Sequence, residues 1–274
     1  IWDASGTDRV DVSGAFAGWE ITLPTVQPST LVATKLGGAI PINEALLDSP
    51  LTLYWLMGDI ENVTGSAFAD GIEGNDQSNI FNGRGGNDSI SGGGGFDVAV
   101  YAGARSGYTL TNGFNERILS DRTSGRDGTD TLSGIERLQF SDGILAFDNL
   151  PTDNAGKGYL LYRAAFDRAP DAAGLGFWIR ELEKGQDYGT VVAASFIASS
   201  EFIGLNGSNT SNAQFVNLLY QNVLDRAPDA AGLDFWLGQL DNGYARSNML
   251  ASFAISDENY NAVAPLISDG VWFV

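Results

Sequence analysis

Apolar residues recur at an interval of nine positions between residues 65 and 100. The four segments read GSAFADGIE, GNDQSNIFN, GRGGNDSIS and GGGGFDVAV, and the apolar residues at their eighth positions are Ile72, Phe81, Ile90 and Ala99. A glycine-rich polar stretch precedes each of these residues. The pattern predicts very short strands, each with one side chain facing inward, joined by tight turns.

The polar positions of this stretch keep the same interval. Every segment opens with glycine, and the sixth positions hold Asp70, Asn79, Asp88 and Asp97. If two segments make one coil, residues 18 apart stack, so that Asp70 lies over Asp88 and Asn79 over Asp97. Stacked carboxylates repel unless a cation lies between them, and calcium prefers oxygen ligands. We therefore expect a calcium-binding parallel β-roll with a weaker 79/97 site. The alternative, a flexible linker, has no reason to keep the period.

The segments on both sides of the nonapeptides also have the character of strands. Residues 9–12 and 19–22 alternate between polar and apolar, and residues 51–57 fit a buried strand or a short helix. A hairpin is predicted for residues 108–120 across an Asn-Gly pair, and residues 138–147 are expected to cap the open end of the roll.

The apolar period becomes helical after residue 150, where the chain contains a duplication. Residues 159–185 match residues 217–243 at an offset of 58, and both copies contain RAPDAAGL. Each copy predicts a helix, a Pro-Asp turn, a second helix, a glycine turn and a third helix. The aspartates of the Pro-Asp turns, Asp171 and Asp229, are expected to be helix N-caps.

Aromatic and basic residues recur in both copies. The matched aromatic positions are Tyr162 and Tyr220, Phe177 and Phe235, and Trp178 and Trp236. We expect them to pack in the core because they share a face with leucines, and a sugar-binding aromatic stack is the alternative. Arg168 and Arg226 are expected to pair with a nearby carboxylate or a helix end, such as Asp167 or Asp225.

Composition narrows the possible functions. The chain has 274 residues, 35 glycines and a formal net charge of −19 at pH 7, so nucleic acid and anionic membranes are poor partners and cations are good ones. It has no Cys and no His, which excludes disulfides, thiolate catalysis, a Ser-His-Asp triad and His-bound zinc. No apolar run reaches the length of a transmembrane helix. Mostly carboxylate chemistry remains for an enzyme, and we find no paired carboxylates outside the proposed metal turns.

Two resemblances to known families accompany these patterns. IWDASGTDRVDVSG, DIENVTG and the nonapeptides, at residues 1–102, resemble the C-terminal half of the serralysin-type secreted zinc proteases. The catalytic zinc motif of that family is absent. The duplicated helices resemble the DUF4214 or phycobilisome-linker-like repeat domain, over residues 159–260.

The first resemblance implies calcium ligands throughout the β region. An N-terminal site would use Asp3, Ser5, Gly6, Asp8, Asp59 and Glu61. One roll site would use Ser66, Phe68, Asp70, Gly83, Gly85 and Asp88. A second roll site would use Asn75, Gln77, Asn79, Gly92, Gly94 and Asp97. The segment from residue 125 resembles one that closes such rolls, and in it Asp127 or Asp130 would ligate an isolated ion or form a polar turn.

The last ten residues, 265–274, resemble the uncleaved C-terminal signal of type I secretion substrates, because an acidic residue precedes an apolar run. A terminal strand that packs its aromatic residues is the alternative. Residue 1 is not Met, and we expect the chain to be part of a longer protein.

The predicted fold class is mixed, β then α: a parallel β-roll with flanking β structure over residues 1–150, followed by an all-α repeat domain over residues 151–264. We expect a non-catalytic calcium-binding module of a secreted, extracellular protein. Its partners would be calcium, the type I secretion machinery and an upstream catalytic domain. The alternative is a surface adhesin whose helical repeats contact a partner or a glycan.

Overall fold

The computed structural model describes residues 6–27, 32–35, 37–43 and 54–274. The chain divides into two compact units, Ile1–Leu145 and Ala146–Val274, which we call the β-rich unit and the helical unit. Two of the expected calcium ligands, Asp3 and Ser5, lie outside the described residues.

The β-rich unit consists of short strands. They are β1 (Arg9–Asp11), β2 (Trp19–Thr22), β3 (Thr25–Gln27), β4 (Val32–Lys35), β5 (Gly37–Pro41), β6 (Tyr54–Leu56), β7 (Asn62–Thr64), β8 (Gly71–Glu73), β9 (Ile80–Asn82), β10 (Ser89–Ser91), β11 (Val98–Val100), β12 (Tyr108–Asn112), β13 (Arg117–Asp121), β14 (Thr129–Ser133), β15 (Arg137–Phe140) and β16 (Gly143–Ala146). A single 3₁₀ turn, Arg105–Gly107, precedes β12.

The nonapeptide strands pair in parallel with strands two segments away. Their inward residues form two buried columns, one of Ile21, Ile72, Ile90 and Leu132, the other of Val10, Val63, Phe81, Ala99 and Leu138. The predicted inward positions are therefore confirmed. Each strand contributes one residue to a column because successive side chains of a strand point to opposite faces.

Antiparallel strands extend both of the predicted flanks. The order β12-β13-β14-β10-β8-β2-β5-β6 is antiparallel from β12 to β14 and from β2 to β6, and parallel between them. The hairpin predicted across Asn112-Gly113 is confirmed, with Asn112 opposite Arg117. Because the sheets are mixed, the prediction of a parallel β-roll is confirmed only in a coarser form, a β-rich part followed by a helical part.

The helical unit contains α1 (Asn154–Phe166), α2 (Ala172–Glu183), α3 (Ala194–Ala198), α4 (Ser200–Asn206), α5 (Asn212–Leu224), α6 (Ala230–Asp241), α7 (Arg246–Ala254), α8 (Asp257–Val263) and the terminal strand β17 (Val271–Phe273). A π-helical turn, Tyr188–Ala193, leads into α3. The duplication therefore has one more short helix per copy than the sequence predicted. Val271 and Phe273 are buried, as expected of a terminal strand that packs its apolar residues.

The Pro-Asp turns are the same in both copies. Asp171 and Asp229 cap α2 and α6 by accepting hydrogen bonds from the amides of Gly174 and Gly232, at 2.8 and 2.7 Å. The predicted N-caps are confirmed. Each cap satisfies one of the amides that a helix leaves without a partner at its start.

The repeated arginines pair with carboxylates, as expected, but their partners are not the suggested Asp167 and Asp225. Arg168 forms an ion pair with Glu201 at 2.7 Å, and Arg226 lies 3.7 Å from Glu258. The partners lie on the fourth helix of each copy, α4 and α8, which the sequence analysis did not predict. Each arginine thus connects the Pro-Asp turn to a helix more than 30 residues away.

The aromatic residues divide between core and surface. Tyr162 and Tyr220 are buried, and Trp178 and Trp236 pack against the core of the unit. Phe177 and Phe235, in contrast, are 50% and 57% exposed, so the prediction of core packing is wrong for this pair. Adjacent residues of a helix point about 100° apart, so a Phe next to an inward Trp cannot share its face.

Among the described residues, no single helix has the length and apolarity needed to cross a membrane. The bent helix pair Tyr188–Ala198 and Ser200–Asn206, with 62° between its parts, meets the criteria of length and composition only when the two are joined.

Candidate metal centre

Glycine allows the turns of the β-rich unit to stack closely. Gly86 has a φ of 125°, and a Cβ at this position would lie 2.6 Å from both the Phe68 carbonyl oxygen and the Ala69 nitrogen. A side chain would therefore collide with the backbone of the turn below. The contact explains why the period contains glycine where two turns meet.

One edge of the stack contains Asp70, Asp88 and Asp130 in successive turns. The amide of Asp70 donates to Oδ1 of Asp88 at 2.9 Å, and the amide of Asp88 donates to Oδ1 of Asp130 at 2.9 Å. All three carboxylates are buried. The structure thus brings Asp70 and Asp88 together as predicted and adds Asp130 to the same row.

The partners of these carboxylates differ. Asp70 accepts hydrogen bonds from the amides of Trp19 and Ser66, both at 2.6 Å, and from the Ser66 hydroxyl. Asp88 is only 2% exposed, and its Oδ2 has no hydrogen-bond partner. A buried acceptor without a partner is costly, and a buried charge without a counter-charge is more so.

The other edge contains Asn79, Asp97 and Glu136. The amide of Asn79 donates to Oδ1 of Asp97 at 2.7 Å, and the amide of Asp97 donates to Oε2 of Glu136 at 2.7 Å. Asp97 is buried, and its Oδ2 has no hydrogen-bond partner. This edge therefore repeats the arrangement of the first one.

The side chain of Asn79 forms hydrogen bonds with protein groups in and beside its own turn. Its Oδ1 accepts from the Asn75 amide at 3.1 Å, and its Nδ2 donates to Oδ1 of Asn75 at 3.2 Å and to the Ile60 carbonyl at 3.5 Å. A carboxylate could not donate the last two bonds. The amide thus reduces the negative charge of this turn and supplies internal partners.

The pKa values of the buried turn carboxylates are raised. Burial, together with the neighbouring carboxylates of Asp130 and Asp70, raises the pKa of Asp88 to about 8. Burial also raises the pKa of Asp97 to about 7, with Glu136 adding to the effect, and the pKa of Asp130 to about 7. A divalent cation would favour the ionised forms of all three.

The carbonyl ligands implied by the resemblance to serralysin-type proteases lie in these turns. The Gly83 carbonyl oxygen and Oδ2 of Asp70 lie 2.6 and 2.5 Å from the point where Gly65 would carry a Cβ, so oxygens of two stacked turns converge there. The Phe68 carbonyl accepts from the Ser66 hydroxyl at 3.2 Å. The Arg126 carbonyl oxygen lies 3.0 Å from the corresponding point of Gly85.

The carbonyls implied for the second edge lie in the same kind of environment. The Asn75 carbonyl accepts from the Gly94 amide at 2.9 Å, and the Gln77 amide donates to the side chain of Asn75. Gly92 lies with its carbonyl against Gly74 of the turn below. These residues therefore lie in the stacked turns with Asn79 and Asp97.

The N-terminal calcium site implied by the resemblance falls partly within the described residues. The amide of Asp8 donates to Oε2 of Glu61 at 2.8 Å, and Gly6 lies close to the Asp8 carboxylate. Asp59 is exposed. The structure thus brings Gly6, Asp8 and Glu61 together, and Asp59 faces solvent nearby in the sequence.

Asp127 is already satisfied by protein groups. Its Oδ2 accepts from the hydroxyl of Tyr108 and from the amide of Ala102, and Arg126 lies 3.7 Å away. Its role as a polar turn residue accounts for these contacts, whereas Asp130 lies in line with Asp88.

The residues fit a calcium ion by the chemistry of their donors. In the part of the chain that the structure describes, no three acidic side chains lie close enough to hold a metal by themselves. Calcium takes six to eight oxygens, including backbone carbonyls, so two carboxylates with surrounding carbonyls are suitable ligands. The unpartnered Oδ2 atoms of Asp88 and Asp97 are the observation in favour of such an ion.

The sequence analysis missed two parts of this arrangement, the Trp19 amide that binds Asp70 and the carboxylate of Glu136. The role of Trp19 could not be predicted from its residue type, because it binds Asp70 through its backbone amide. Glu136 follows Gly134-Ile135, and this shortened turn directly before the apolar strand β15 was the available signal.

Comparison with known proteins gives limited matches. No curated protein matches the chain. The crystal structure of the extracellular lipase LipA from Serratia marcescens is 17% identical over 34% of this chain and 19% of the lipase, with a TM-score of 0.17, which is too low to support a statement about the fold. The resemblances to serralysin-type proteases and to phycobilisome linkers are not confirmed. Residues 193–263 match the family described as a domain of unknown function, DUF4214, so that part of the helical prediction is confirmed.

Proposed function

We propose that the β-rich unit is a calcium-binding module that folds when calcium binds to its stacked turns. The observation that carries the proposal is the pair of buried Oδ2 atoms, on Asp88 and Asp97, that no protein group satisfies. Calcium would supply the positive charge that these carboxylates lack. Asp70 and Asp88 would hold one ion and Asn79 and Asp97 another, together with carbonyls of the turns.

Binding would be linked to folding. The unfolded chain has no stacked turns, so calcium binds the folded state and its binding free energy adds to stability. Without the ion, buried carboxylates must be neutralised by protons or left as unpaired charges. A chain with a net charge of −19 also repels itself in the absence of a divalent cation.

In the same proposal the chain is the non-catalytic part of a secreted protein. Where calcium is scarce, inside the cell, the β-rich unit would stay unfolded and suitable for export by type I secretion. Outside, it would fold and stabilise an upstream catalytic domain of the serralysin type. The absence of His and Cys from the sequence and its many turn carboxylates support a binding module rather than an enzyme.

Calcium titration tests the proposal. We expect isothermal titration calorimetry to detect calcium binding, and EGTA to lower the melting temperature and remove the β contribution to the circular dichroism spectrum. Asp88→Asn should weaken binding, whereas Asp76→Asn, which removes the same charge from an exposed position of a neighbouring turn, should not. An unchanged spectrum and melting temperature in EGTA would exclude the proposed function.

A second candidate function is a binding module formed by the helical repeats. The half-exposed Phe177 and Phe235, at equivalent positions of the two copies, favour it. Trp178 and Trp236 pack against the core, so replacing them would disturb folding. Glycan-array binding that is lost in Phe177→Ser or Phe235→Ser, with unchanged helical circular dichroism, would support this candidate; no binding by the wild-type chain would count against it.

A further inference from the structure

The second helices of the two copies, α2 and α6, differ in how much of their apolar surface is covered. The buried residues of α2 are Leu175, Gly176, Ile179 and Leu182. Of the equivalent residues in α6, which lie 58 positions later, Leu240 alone is buried. Leu233 and Leu237 pack against the core of the unit but remain partly exposed. The second copy therefore has an apolar helix face that is less covered than its counterpart in the first copy.

The corresponding face of α2 is covered by α1 and by the terminal strand β17. A Cβ at Gly158 of α1 would lie 2.9 Å from Leu175 and 3.5 Å from Ile179, so α1 packs directly on these two side chains. The strand β17 contacts both α1 and α2 and therefore lies across the groove between them. Its first and third residues, Val271 and Phe273, are buried. An extended segment with apolar residues at alternate positions thus closes the groove of the first copy.

Backbone groups hold this segment on α2. The amide of Val274 donates to the carbonyl of Ala172 at 3.1 Å, and Nη1 of Arg180 donates to the Val274 carbonyl at 3.2 Å. A Cβ at Gly176 would collide with the same carbonyl oxygen. The segment can approach α2 this closely because glycine has no side chain at the point of contact.

The groove between α5 and α6 has no such strand. In the helical unit, which the structure describes throughout, β17 is the single strand, and it lies on the first copy. The helix α6 packs on α5. Its first residue, Ala230, is the equivalent of Ala172, so the carbonyl that receives the strand in the first copy has a counterpart in the second. The second groove therefore has the apolar face and the backbone acceptor but lacks the segment that covers them.

Two differences in sequence change what this groove can bind. Asp234 stands where α2 has Gly176, and Gly238 stands where α2 has Arg180, so each difference lowers the local charge by one. Asp234 is exposed and forms no ion pair in the part of the chain that the structure describes. Its side chain takes the place that the Val274 carbonyl has on α2. A ligand must therefore place a side chain, rather than its backbone, beside this residue, and a carboxylate there favours a basic one.

We propose that the groove between α5 and α6 binds an extended segment of a partner protein, in which two apolar residues at alternate positions are followed by a lysine or an arginine. The apolar residues would cover Leu233 and Leu237, and the basic residue would pair with Asp234. The chain's own β17 is already bound to α2, so the segment comes from another polypeptide. This inference concerns the helical unit alone and does not rest on calcium binding.

The probe is the blocked hexapeptide acetyl-GVWFKG-amide, which keeps the Gly-Val-Trp-Phe sequence of residues 270–273 and adds a lysine. We expect weak binding, because a short peptide buries little surface and loses conformational freedom. The amide chemical shifts of the full chain in calcium should change in residues 230–238 and stay the same in residues 172–180.

Two further peptides test which side chains are recognised. GSWSKG lacks the two apolar residues and should bind at least about tenfold more weakly, because each of them removes apolar surface from water. GVWFEG places a carboxylate against Asp234 and should bind up to about fivefold more weakly, as expected for an exposed charge pair.

A charge reversal in the protein provides the sharper test. Asp234→Lys should invert the preference, so that GVWFEG binds more tightly than GVWFKG. Gln239→Lys, at an exposed position on a different side of the same helix, is the matched control and should keep the wild-type preference. Should Asp234→Lys not fold, Asp234→Asn takes its place and should bind the two charged peptides equally.

The outcomes decide the inference separately from the calcium proposal. Shifts in residues 230–238 together with an inverted preference in Asp234→Lys would support it. It is overturned if GVWFKG does not bind at about 1 mM, if the shifts occur in α2 instead of α6, or if Asp234→Lys keeps the wild-type preference. A wild-type chain that binds the peptide but no calcium would leave this inference standing and exclude the proposed function.

Discussion

The two units of this protein bury different kinds of side chains. The β-rich unit has narrow columns in which each strand contributes one inward residue, such as Ile72 or Phe81. The helical unit has one continuous core that includes Phe196, Phe215 and Leu219 from several helices. A column of single residues removes less apolar surface from water than a continuous core, and hydrophobic stabilisation is proportional to that surface.

The two units also differ in where their charged side chains lie. In the β-rich unit, the buried turns contain Asp88, Asp97 and Asp130. In the helical unit, the ion pair of Arg168 with Glu201 lies near the surface, and the starts of α2 and α6 are capped by exposed aspartate side chains. The proposed function therefore assigns an external cation to the stacked turns of the β-rich unit and none to the helical unit. The stability of the helical unit should therefore not depend on calcium.

Calcium removal should have the largest effect and should be confined to one unit. In EGTA, we expect amides of β8 to β11 to exchange with solvent much faster, because the turns that align these strands lose their counter-charge. Amides of α1 and α5 should keep their protection. Hydrogen exchange followed by mass spectrometry measures both regions in one sample, and an equal loss of protection in the helices would contradict the comparison.

Removing a buried ring from either core should destabilise its unit, but only in the β-rich unit should the cost depend on calcium. Phe215→Ala and Phe81→Ala each remove a fully buried ring and should cost about 3–5 kcal/mol in the free energy of unfolding of the unit concerned. The cost of Phe215→Ala should be the same with and without calcium. At pH 8, Phe81→Ala should have its effect only with calcium, because at that pH the buried carboxylates are charged and the β-rich unit should be unfolded in EGTA. Denaturant titrations monitored for each unit provide the measurement.

The metal-free β-rich unit should lose stability as pH rises. The pKa of Asp88 is raised to about 8 in the folded state, whereas an unfolded Asp titrates near 3.9. A raised carboxyl pKa means that the folded state holds the proton more tightly. Its contribution is complete below pH ~4 and is lost as pH rises through ~8.

Melting temperatures in EGTA, measured from pH 5 upward until the β-rich unit no longer folds, give this dependence. Asp88→Asn should make it shallower, and excess calcium should reduce it because the ion favours the charged form. A slope that is the same in Asp88→Asn would show that other groups cause it.

Asn79→Asp should have the smallest effect, and its sign should depend on calcium. Without calcium at pH 5, where protons neutralise the buried carboxylates and the β-rich unit should fold, the variant loses the hydrogen bonds that Asn79 donates to Asn75 and to the Ile60 carbonyl. It also adds an acidic group beside Asp97, so it should be destabilised by about 1–3 kcal/mol. With calcium, the added carboxylate should increase the thermal shift. Asn115→Asp, on the exposed hairpin loop, is the matched control and should change neither value.

Local patterns in the sequence were sufficient for the periodic parts of the fold. The nine-residue interval predicted the inward positions of Ile72, Phe81, Ile90 and Ala99, because strand alternation and turn length are local properties. The columns continue through residues with no regular spacing: Leu132 pairs with Ile90 across 42 residues, and Ile21 with Ile72 across 51. Such pairings depend on how the chain returns, which a local period does not contain.

In the helical unit, too, contacts between neighbouring residues were predictable from the sequence and contacts between distant residues were not. Pro-Asp turns and N-caps were predicted because they involve neighbouring residues. The partner of Arg168 was not, since Glu201 lies 33 residues away on a helix that the sequence analysis did not identify.

By itself, the sequence determined where the turn carboxylates lie, because the period places an Asp or Asn at the sixth position of each turn. Only the tertiary structure decided which of their oxygens have partners. The Trp19 amide, 51 residues away, reaches Asp70, and the Ile60 carbonyl, 19 residues away, accepts from Asn79. No protein group reaches Oδ2 of Asp88. The physical reason is that hydrogen bonds at a buried turn come from whichever distant backbone packs beside it, and where none does, the oxygen has no hydrogen-bond partner in the protein.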